Sequence, residues 1–246
     1  MEFSSDGVRL HYELQGPEGG PPIILVHGFA SDYHLNWVGT RWQETLVVAG
    51  YRVVGLDCRG HGSSDKPHEV DAYHPRLMAG DVVQLLDHLA IDSARYLGYS
   101  MGARIGLQLV ADHPRRVERA VLGGLGGTRS LEGAEKIARA MRGGAPESHV
   151  AETFYRFASA RASNDLEALA ACIVGTAAPA DEEKLKRIDV PILLVVGERD
   201  ELARDPERLV ELIPTARLVR IPGRDHMSAV TARDFKDAAL RFLEES

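Results

Sequence analysis

One serine of the chain stands in the sequence surroundings that a nucleophile requires. Ser100 lies at the centre of Gly98-Tyr99-Ser100-Met101-Gly102, a segment of the form G-x-S-x-G. An apolar run leads into the segment and a helical pattern leads out of it. This strand–turn–helix setting presents a serine hydroxyl at the edge of a sheet. The flanking glycines remove side chains that would collide at so tight a turn. We therefore predict that the Ser100 hydroxyl attacks an electrophilic carbon.

A serine hydroxyl is a poor nucleophile at neutral pH, and it needs a base to remove its proton. The chain has ten histidines, and His226 is distinguished by its place in the loop between the last predicted strand and the last predicted helix. That loop belongs to the same edge of the sheet as Ser100, so we predict that His226 is the base.

A carboxylate must then hold one tautomer of the imidazole and stabilise its protonated form. Asp200 follows a strongly apolar strand pattern and lies between the serine and the histidine in chain order. Its rivals are Glu198, which is two residues nearer the strand, and Asp225, which adjoins the base and would reach the imidazole only with difficulty. The glycine run after the preceding strand offers no carboxylate. We therefore predict that Asp200 is the acid.

Short apolar runs alternate with helical patterns along most of the chain. This alternation is typical of an α/β fold with a mostly parallel central sheet and helices on both faces. We expect about eight strands, two of them in an N-terminal hairpin within residues 2–15. The inner strands are predicted at 23–27, 52–56, 94–99, 119–123, 192–197 and 216–221, and the helices at 37–49, 76–90, 101–113, 206–213 and 232–244.

One region breaks the alternation. Residues 128–188 contain helical patterns without a convincing strand, and we interpret them as a short helical cap inserted into a core formed by residues 1–127 and 189–246. Within the cap, Pro146 is expected near the first turn of a helix, and Asn164, which precedes Glu167 by three residues, is expected to cap another.

Five motifs, in their order along the chain, resemble those of the α/β-hydrolase family. They are His27-Gly28-Phe29, the glycine-rich segment 57–64, the serine segment, the segment 197–200 and the pair Asp225-His226. The combination is most similar to small carboxylesterases, lactonases and cofactor-free haloperoxidase-type perhydrolases. In this family the order serine, acid, histidine is the expected one.

The resemblance also implies roles for backbone groups and for the loop after the third strand. The N–H groups of Phe29 and Met101 would form the oxyanion hole, and the His27 ring would fasten the loop rather than react. No cofactor is implied. Haloalkane dehalogenases and epoxide hydrolases of the family use an aspartate where this chain has Ser100, so the resemblance argues against both activities.

The substrate pocket is expected to have mostly apolar walls. The helical stripe Val150, Phe154, Phe157 and Ala158 could either roof this pocket or dock its helix on the core, because both uses need an apolar face. Trp37 is open to the same two interpretations. The predicted pocket residues are Trp37, Leu125, Phe154, Phe157, Leu202 and Met227.

The amino-acid composition argues against several kinds of binding partner. The net charge is −7 and the basic residues are scattered, so we predict no nucleic-acid binding. Two cysteines favour reduced thiols over a disulfide framework, and no histidine spacing suggests a metal site. We find no signal-peptide pattern and no apolar run that could span a membrane, and we expect a cytoplasmic protein that acts on a small molecule without membrane binding. The oligomeric state is left open.

Together these features predict a serine hydrolase that cleaves carboxylic esters of small-to-medium, mostly apolar acyl groups through an acyl-enzyme. The same three side chains could also serve a lactonase, a thioesterase, a C–C bond hydrolase or a perhydrolase. A ligand receptor with slow hydrolysis is a further alternative.

Overall fold

The computed structural model of the chain describes residues 1–128 and 133–245. Within these residues eight strands form one sheet. The strands are β1 (Glu2–Ser5), β2 (Val8–Gln15), β3 (Pro22–Val26), β4 (Arg52–Leu56), β5 (Ala94–Tyr99), β6 (Val117–Gly123), β7 (Ile192–Gly197) and β8 (Ala216–Ile221). The α-helices are α1 (Trp42–Val48), α2 (Pro75–His88), α3 (Met101–Asp112), α4 (Ala134–Met141), α5 (His149–Ser159), α6 (Leu166–Gly175), α7 (Glu182–Leu185), α8 (Glu207–Leu212), α9 (His226–Ala229) and α10 (Arg233–Glu244).

The sheet has the strand order β1-β2-β4-β3-β5-β6-β7-β8. Strands β3 to β8 are parallel, whereas β2 is antiparallel to both β1 and β4. The predicted α/β fold with a mostly parallel sheet is confirmed, and each of the strands β3 to β8 lies within two residues of its predicted bounds. Because the carboxyl ends of parallel strands share one edge, the loops after β3, β5, β7 and β8 meet there.

The sheet is covered on both faces. Alternate residues of β3 pack into two separate apolar clusters, with Ile24 and Val26 in one and Ile23 and Leu25 in the other. Helices α2 and α3 contribute to the first cluster, and α1 and α10 contribute to the second. A strand buried on both faces is apolar at every position, and these strands were therefore readily predicted from the sequence.

The predicted helix over residues 37–49 is wrong as a single element. A π-helical turn covers His34–Val38, and α1 starts at Trp42 after Arg41, whose φ is +63°. Trp37 and Trp42 are both fully buried, with ring centroids 6.2 Å apart. In one continuous helix, residues five apart point about 140° away from each other, so the break lets both indoles enter the same cluster.

Between β6 and β7 the described residues hold α4 to α7 and no strand. This segment corresponds to the predicted cap of residues 128–188, although residues 129–132 of that range, like residue 246 of the core, lie outside the described residues. Two polar contacts join the cap to the loop after β3: Arg161 forms an ion pair with Asp32, and the Asn164 amide donates to the carbonyl oxygen of Ala30 at 3.4 Å. The domain boundaries themselves stay a prediction.

Both predicted helix starts within the cap are wrong. Helix α5 starts at His149 and is capped by the Ser148 hydroxyl, so Pro146 precedes the helix rather than entering its first turn. Helix α6 is capped by Asp165, whose carboxylate accepts from two backbone N–H groups at 3.0 Å. Asn164 instead donates its side-chain amide to the carbonyl oxygen of Ala158 at 2.9 Å. A carboxylate at this position also benefits from the helix dipole, which the amide does not.

Candidate active site

Three polar side chains form a continuous hydrogen-bonded chain at the carboxyl edge of the sheet. Ser100 Oγ lies 2.9 Å from His226 Nε2, and His226 Nδ1 lies 2.8 Å from Asp200 Oδ2. The three residues follow the ends of β5, β8 and β7, respectively. The Asp200 side chain is inaccessible to solvent and the His226 side chain is 12% exposed. The structure thus brings together the predicted nucleophile, base and acid.

The turn that carries Ser100 is strained, and its glycines are required by space. Ser100 has φ +53° and ψ −109°, and its N–H donates to the carbonyl oxygen of Gly123 at 2.8 Å. A Cβ at Gly98 would lie 2.4 Å from the carbonyl oxygen of Gly102, and one at Gly102 would lie 2.0 Å from that of Val26. No real Cβ contact is so short, so only glycine allows strand and helix to approach this closely. The strain lifts the hydroxyl out of the sheet toward the imidazole.

Backbone donors fix the carboxylate and the imidazole. Asp200 Oδ1 accepts from the N–H groups of Leu202 at 3.0 Å and Ala203 at 2.9 Å and lies 3.0 Å from His226 Nδ1, whereas Oδ2 lies 2.8 Å from Nδ1 and has no other partner among the described residues. The Tyr99 hydroxyl donates to the carbonyl oxygen of His226 at 2.6 Å and holds the start of α9 against the end of β5. A ring held in this way donates from Nδ1 to the carboxylate and accepts at Nε2 from the serine.

The two rival carboxylates are engaged elsewhere. Glu198 accepts from the N–H of Gly223 at 2.8 Å. Asp225 caps α9 and accepts from the N–H groups of Met227 at 3.1 Å and Ser228 at 2.8 Å. The Ser228 hydroxyl, which donates to the same carboxyl at 2.6 Å, and these backbone N–H groups hold the pKa of the Asp225 carboxyl below its usual range. Among these three carboxylates, Asp200 is therefore the one that the structure places in hydrogen-bond contact with the imidazole.

Two backbone N–H groups beside Ser100 are unpaired. Among the described residues, neither the Phe29 N–H nor the Met101 N–H has a protein acceptor. Met101 is the first residue of α3, where N–H groups lack partners within the helix and the helix dipole favours negative charge. The two groups have the positions predicted for an oxyanion hole, and that role stays a prediction.

The loop that carries Phe29 is fastened by two buried imidazoles. His27 Nε2 accepts from the N–H of Cys58, and His61 Nε2 accepts from the N–H of Ala30, both at 3.0 Å. The other nitrogen of each ring bonds a backbone carbonyl oxygen. Burial lowers the pKa of His27, and it lowers the pKa of His61 to about 3, so both rings are neutral at pH 7. The His27 ring holds the loop, as the resemblance implies.

The glycine-rich segment 57–64 is architectural. Asp57 accepts from the N–H groups of Tyr33 and Ser63, both at 2.9 Å. Arg59 forms a buried two-pronged ion pair with Asp81 at 2.6 Å and 2.8 Å. The segment therefore joins the loop after β3 to α2.

A cavity of about 320 Å³ opens beside Ser100 and His226. Four of the six predicted pocket residues line it: Phe154, Phe157, Leu202 and Met227. Trp37 does not line it, because the break before α1 turns this indole into the fully buried cluster against Trp42. The interpretation of Trp37 as a pocket wall was therefore wrong.

The apolar stripe of α5 both roofs the cavity and docks its helix on the core. The rings of Phe154 and Phe157 border the cavity, whereas Ala158 is fully buried in the core and Val150 packs against it. Phe154 also makes an edge contact with Phe29, with ring centroids 5.7 Å apart. Helix α5 is therefore docked by its small side chains, and its aromatic side chains form the roof.

A second, smaller cavity of about 80 Å³ also borders Ser100 and His226. The sixth predicted pocket residue, Leu125, lines this cavity with Met101, Ile173 and Thr176. Arg104 also borders it and donates to the carbonyl oxygen of Ala178 at 3.0 Å, and burial lowers the pKa of the Arg104 guanidinium.

Sequence reasoning missed Arg104 and Asn36. Arg104 lies one helical turn after Ser100, a spacing that could have identified it. Asn36 lines the larger cavity and accepts from the Gly28 N–H at 2.9 Å, which supports the loop of the predicted oxyanion hole. No sequence signal identifies Asn36, because its position depends on the π-helical turn.

The described residues contain neither a helix suited to spanning a membrane nor a cluster of side chains suited to holding a metal ion. No helix among them is long and apolar enough to cross a membrane. Residues 1–128 and 133–245 contain no group of three or more histidine, cysteine, aspartate or glutamate side chains that could hold a metal ion.

Comparisons with known proteins agree with this architecture. The model of the alpha/beta hydrolase fold family matches residues 21–159. A putative 2-succinyl-6-hydroxy-2,4-cyclohexadiene-1-carboxylate synthase of Bacillus subtilis is 28% identical over 250 residues, which cover 90% of this chain and 89% of that protein. A hydrolase of Pseudomonas aeruginosa is 25% identical with a TM-score of 0.85, covering 100% of this chain and 98% of the other. An enol-lactonase of Burkholderia xenovorans is 26% identical with a TM-score of 0.80, covering all of both chains. The chain therefore belongs to the α/β-hydrolase family.

Proposed function

We propose that this α/β-hydrolase cleaves carboxylic esters, with Ser100 as nucleophile, His226 as base and Asp200 as orienting acid. The observation that carries the proposal is the unbroken hydrogen-bonded chain from Asp200 Oδ2 through the imidazole to Ser100 Oγ. A strained serine next to a base that is itself oriented by a carboxylate is the arrangement of an activated nucleophile.

The mechanism follows from the geometry. His226 Nε2 removes the hydroxyl proton while Ser100 Oγ bonds to the ester carbonyl carbon, and the carbonyl π electrons move onto oxygen. The N–H groups of Phe29 and Met101 stabilise this oxyanion. The intermediate collapses, the C–O bond to the alcohol breaks, and the imidazolium gives its proton to the departing alkoxide. Water, deprotonated by the same imidazole, then attacks the acyl-enzyme and releases the acid and the serine.

The cavity supports a neutral, mostly apolar substrate. Its walls include Phe154, Phe157, Leu202 and Met227. The hydroxyl groups of Thr40 and Thr153, which also line it, donate to backbone carbonyl oxygens and are not free donors for a substrate. Apolar groups gain most from leaving water for such a surface.

A lactone is the second candidate substrate, because the chain resembles an enol-lactonase over its whole length. A lactone is an internal ester, so each chemical step above is retained and the alcohol simply stays attached to the acyl group. Thioesters, activated C–C bonds and peracid formation would use the same three side chains.

The test is a panel of p-nitrophenyl acetate, p-nitrophenyl butyrate, a five-membered lactone and a thioester, assayed with wild type and Ser100→Ala. We expect the esters to be turned over and Ser100→Ala to lose about 10⁴-fold or more in kcat, because the nucleophile is gone. A preference for the lactone would change the bond assigned to the site. Turnover that survives in Ser100→Ala would overturn the proposal, and a stable adduct without turnover would favour a ligand receptor.

A further inference from the structure

Two cavities of unequal size meet at the reacting atoms. The larger has a volume of about 320 Å³ and the smaller about 80 Å³, and both are lined by Ser100 and His226. A carbonyl group attacked by Ser100 can therefore direct one substituent into each cavity.

Three apolar side chains border both cavities, namely Phe29, Phe154 and Leu202. Phe29 and Phe154 touch edge to face, with ring centroids 5.7 Å apart, an arrangement that holds two aromatic rings in place. Phe29 is 6% exposed and lies in the loop fastened by the buried imidazoles. Phe154 lies on α5, in the cap.

The volumes of the two cavities determine which substrate group each cavity can hold. A dry cavity of about 150 Å³ holds one benzene molecule. The larger cavity can thus hold a phenyl ring with a short linker, whereas the smaller one is about half of what a ring needs and suits a methyl or ethyl group.

Given the proposed esterase activity, on which this inference rests, we infer that the site selects esters with one bulky apolar arm and one short arm, and that Phe154 is the residue that enforces the limit on the short arm. Removing the Phe154 ring joins the two cavities above Ser100. This partition between the cavities can be altered by mutation of Phe154, because Phe154 belongs to the cap and takes no part in the hydrogen-bonded chain of the reacting side chains.

The chain offers a matched control. Phe157 is the same residue type on the same helix, one turn further along, and both rings are partly exposed. Phe157 lines only the larger cavity. Phe157→Ala therefore removes an equal volume from the roof without opening the partition.

The experiment compares kcat/KM for benzyl acetate, methyl 3-phenylpropanoate and benzyl 3-phenylpropanoate. The first has its bulk in the alcohol, the second in the acyl group and the third in both. We expect wild type to hydrolyse the third ester about 100-fold less efficiently than the better of the other two, because pocket size is expressed directly in kcat/KM. The better one-armed ester identifies which cavity receives the acyl group.

Phe154→Ala should raise the relative kcat/KM of the two-armed ester by about 10-fold or more, and Phe157→Ala should change it by less than about 3-fold. Thermal unfolding of both variants shows whether they are folded, and the ratio between esters cancels any loss of active protein. The inference is overturned if wild type accepts the two-armed ester as well as a one-armed one, or if the two variants change the ratio equally.

Failure of the proposed function has a different signature. If neither wild type nor Phe154→Ala hydrolyses these esters or p-nitrophenyl acetate through Ser100, the esterase proposal falls and takes the inference with it. If hydrolysis depends on Ser100 but Phe154→Ala leaves the kcat/KM of the two-armed ester relative to the one-armed esters unchanged, only the inference about Phe154 is wrong.

Discussion

At the scale of single residues, the two oxygens of Asp200 do different work. Both oxygens lie near His226 Nδ1, Oδ2 at 2.8 Å and Oδ1 at 3.0 Å, but only Oδ1 also accepts from two backbone N–H groups of its own turn. Oδ1 therefore anchors the carboxylate, and Oδ2 makes the shorter contact with the ring. The nearby Glu198 is exposed and bonds only the Gly223 backbone among the described residues, although two positions in sequence separate it from Asp200.

This division predicts that Asp200→Asn loses activity while keeping its shape. The amide must present its oxygen to the two N–H groups, so its NH₂ group faces the ring and favours the tautomer with the proton on Nε2. We expect kcat to fall about 10⁴-fold, as for the corresponding change in a serine protease triad. The control Glu198→Gln should keep kcat within about threefold of wild type, since surface changes are usually near neutral. Steady-state kinetics measures both, and equal losses would contradict the assignment of the acid.

Sequence reasoning succeeded at this scale where chemistry restricts the residue type. The serine between glycines, the histidine before the last helix and the aspartate after β7 could each be identified because few residues can perform these tasks. Asn36 could not, since its amide supports the Gly28 N–H only through the irregular turn at His34–Val38.

At the scale of elements, the loops after β3 and β4 are joined by neutral histidines. His61 Nε2 accepts the Ala30 N–H, and its ring is 1% exposed. A protonated ring could not accept this hydrogen bond and would carry a charge into the protein interior. The loop of the predicted oxyanion hole is therefore stable only while these rings are neutral.

We predict an acid-sensitive stability. His61 has a pKa of about 3 in the folded protein and about 6.5 when unfolded. The unfolded state thus binds the proton more readily, so stability is complete above pH 6.5 and is lost as the pH falls toward 3. In His61→Gln, whose side-chain oxygen can accept the Ala30 N–H, the fall in the free energy of unfolding from pH 7 to pH 5 should be smaller than in wild type by about 2 kcal/mol.

The control for this prediction is His113→Gln, which alters a histidine exposed at the end of α3. Denaturant unfolding at several pH values should give His113→Gln the wild-type slope. Identical slopes for wild type and His61→Gln would contradict the neutral, buried state of His61.

At the scale of elements, the apolar pattern of the sequence predicted the strands of the sheet but not the points at which helices break or begin. Strands buried on both faces have a largely apolar sequence, and the six strands β3 to β8 were predicted within two residues, including β8, which lies at the sheet edge and is only partly buried. The break between Trp37 and Trp42 depends on their burial against each other and against α10, which local sequence does not encode. The start of α6 was misplaced by one residue because Asn164 and Asp165 are both good caps.

At the scale of the whole molecule, distant segments converge on one edge. The buried ion pair of Arg59 with Asp81 also receives the Ser5 hydroxyl at 2.5 Å, so the N-terminal hairpin, the glycine-rich segment and α2 share one polar cluster. The cap contacts the loop after β3 through the ion pair of Arg161 with Asp32 and the ring contact of Phe154 with Phe29. The cavity volumes depend on how the cap contacts this loop, so they could not be predicted from the sequence.

The most direct test of the account is covalent labelling of wild type and Ser100→Ala with a fluorophosphonate, followed by intact-mass measurement and peptide mapping. We predict one adduct per chain, located on the peptide that contains Ser100, complete loss of the adduct in Ser100→Ala, and protection by a slowly hydrolysed ester. An adduct on another residue, or equal labelling of Ser100→Ala, would contradict the claim that Asp200, His226 and Ser100 form an activated nucleophile.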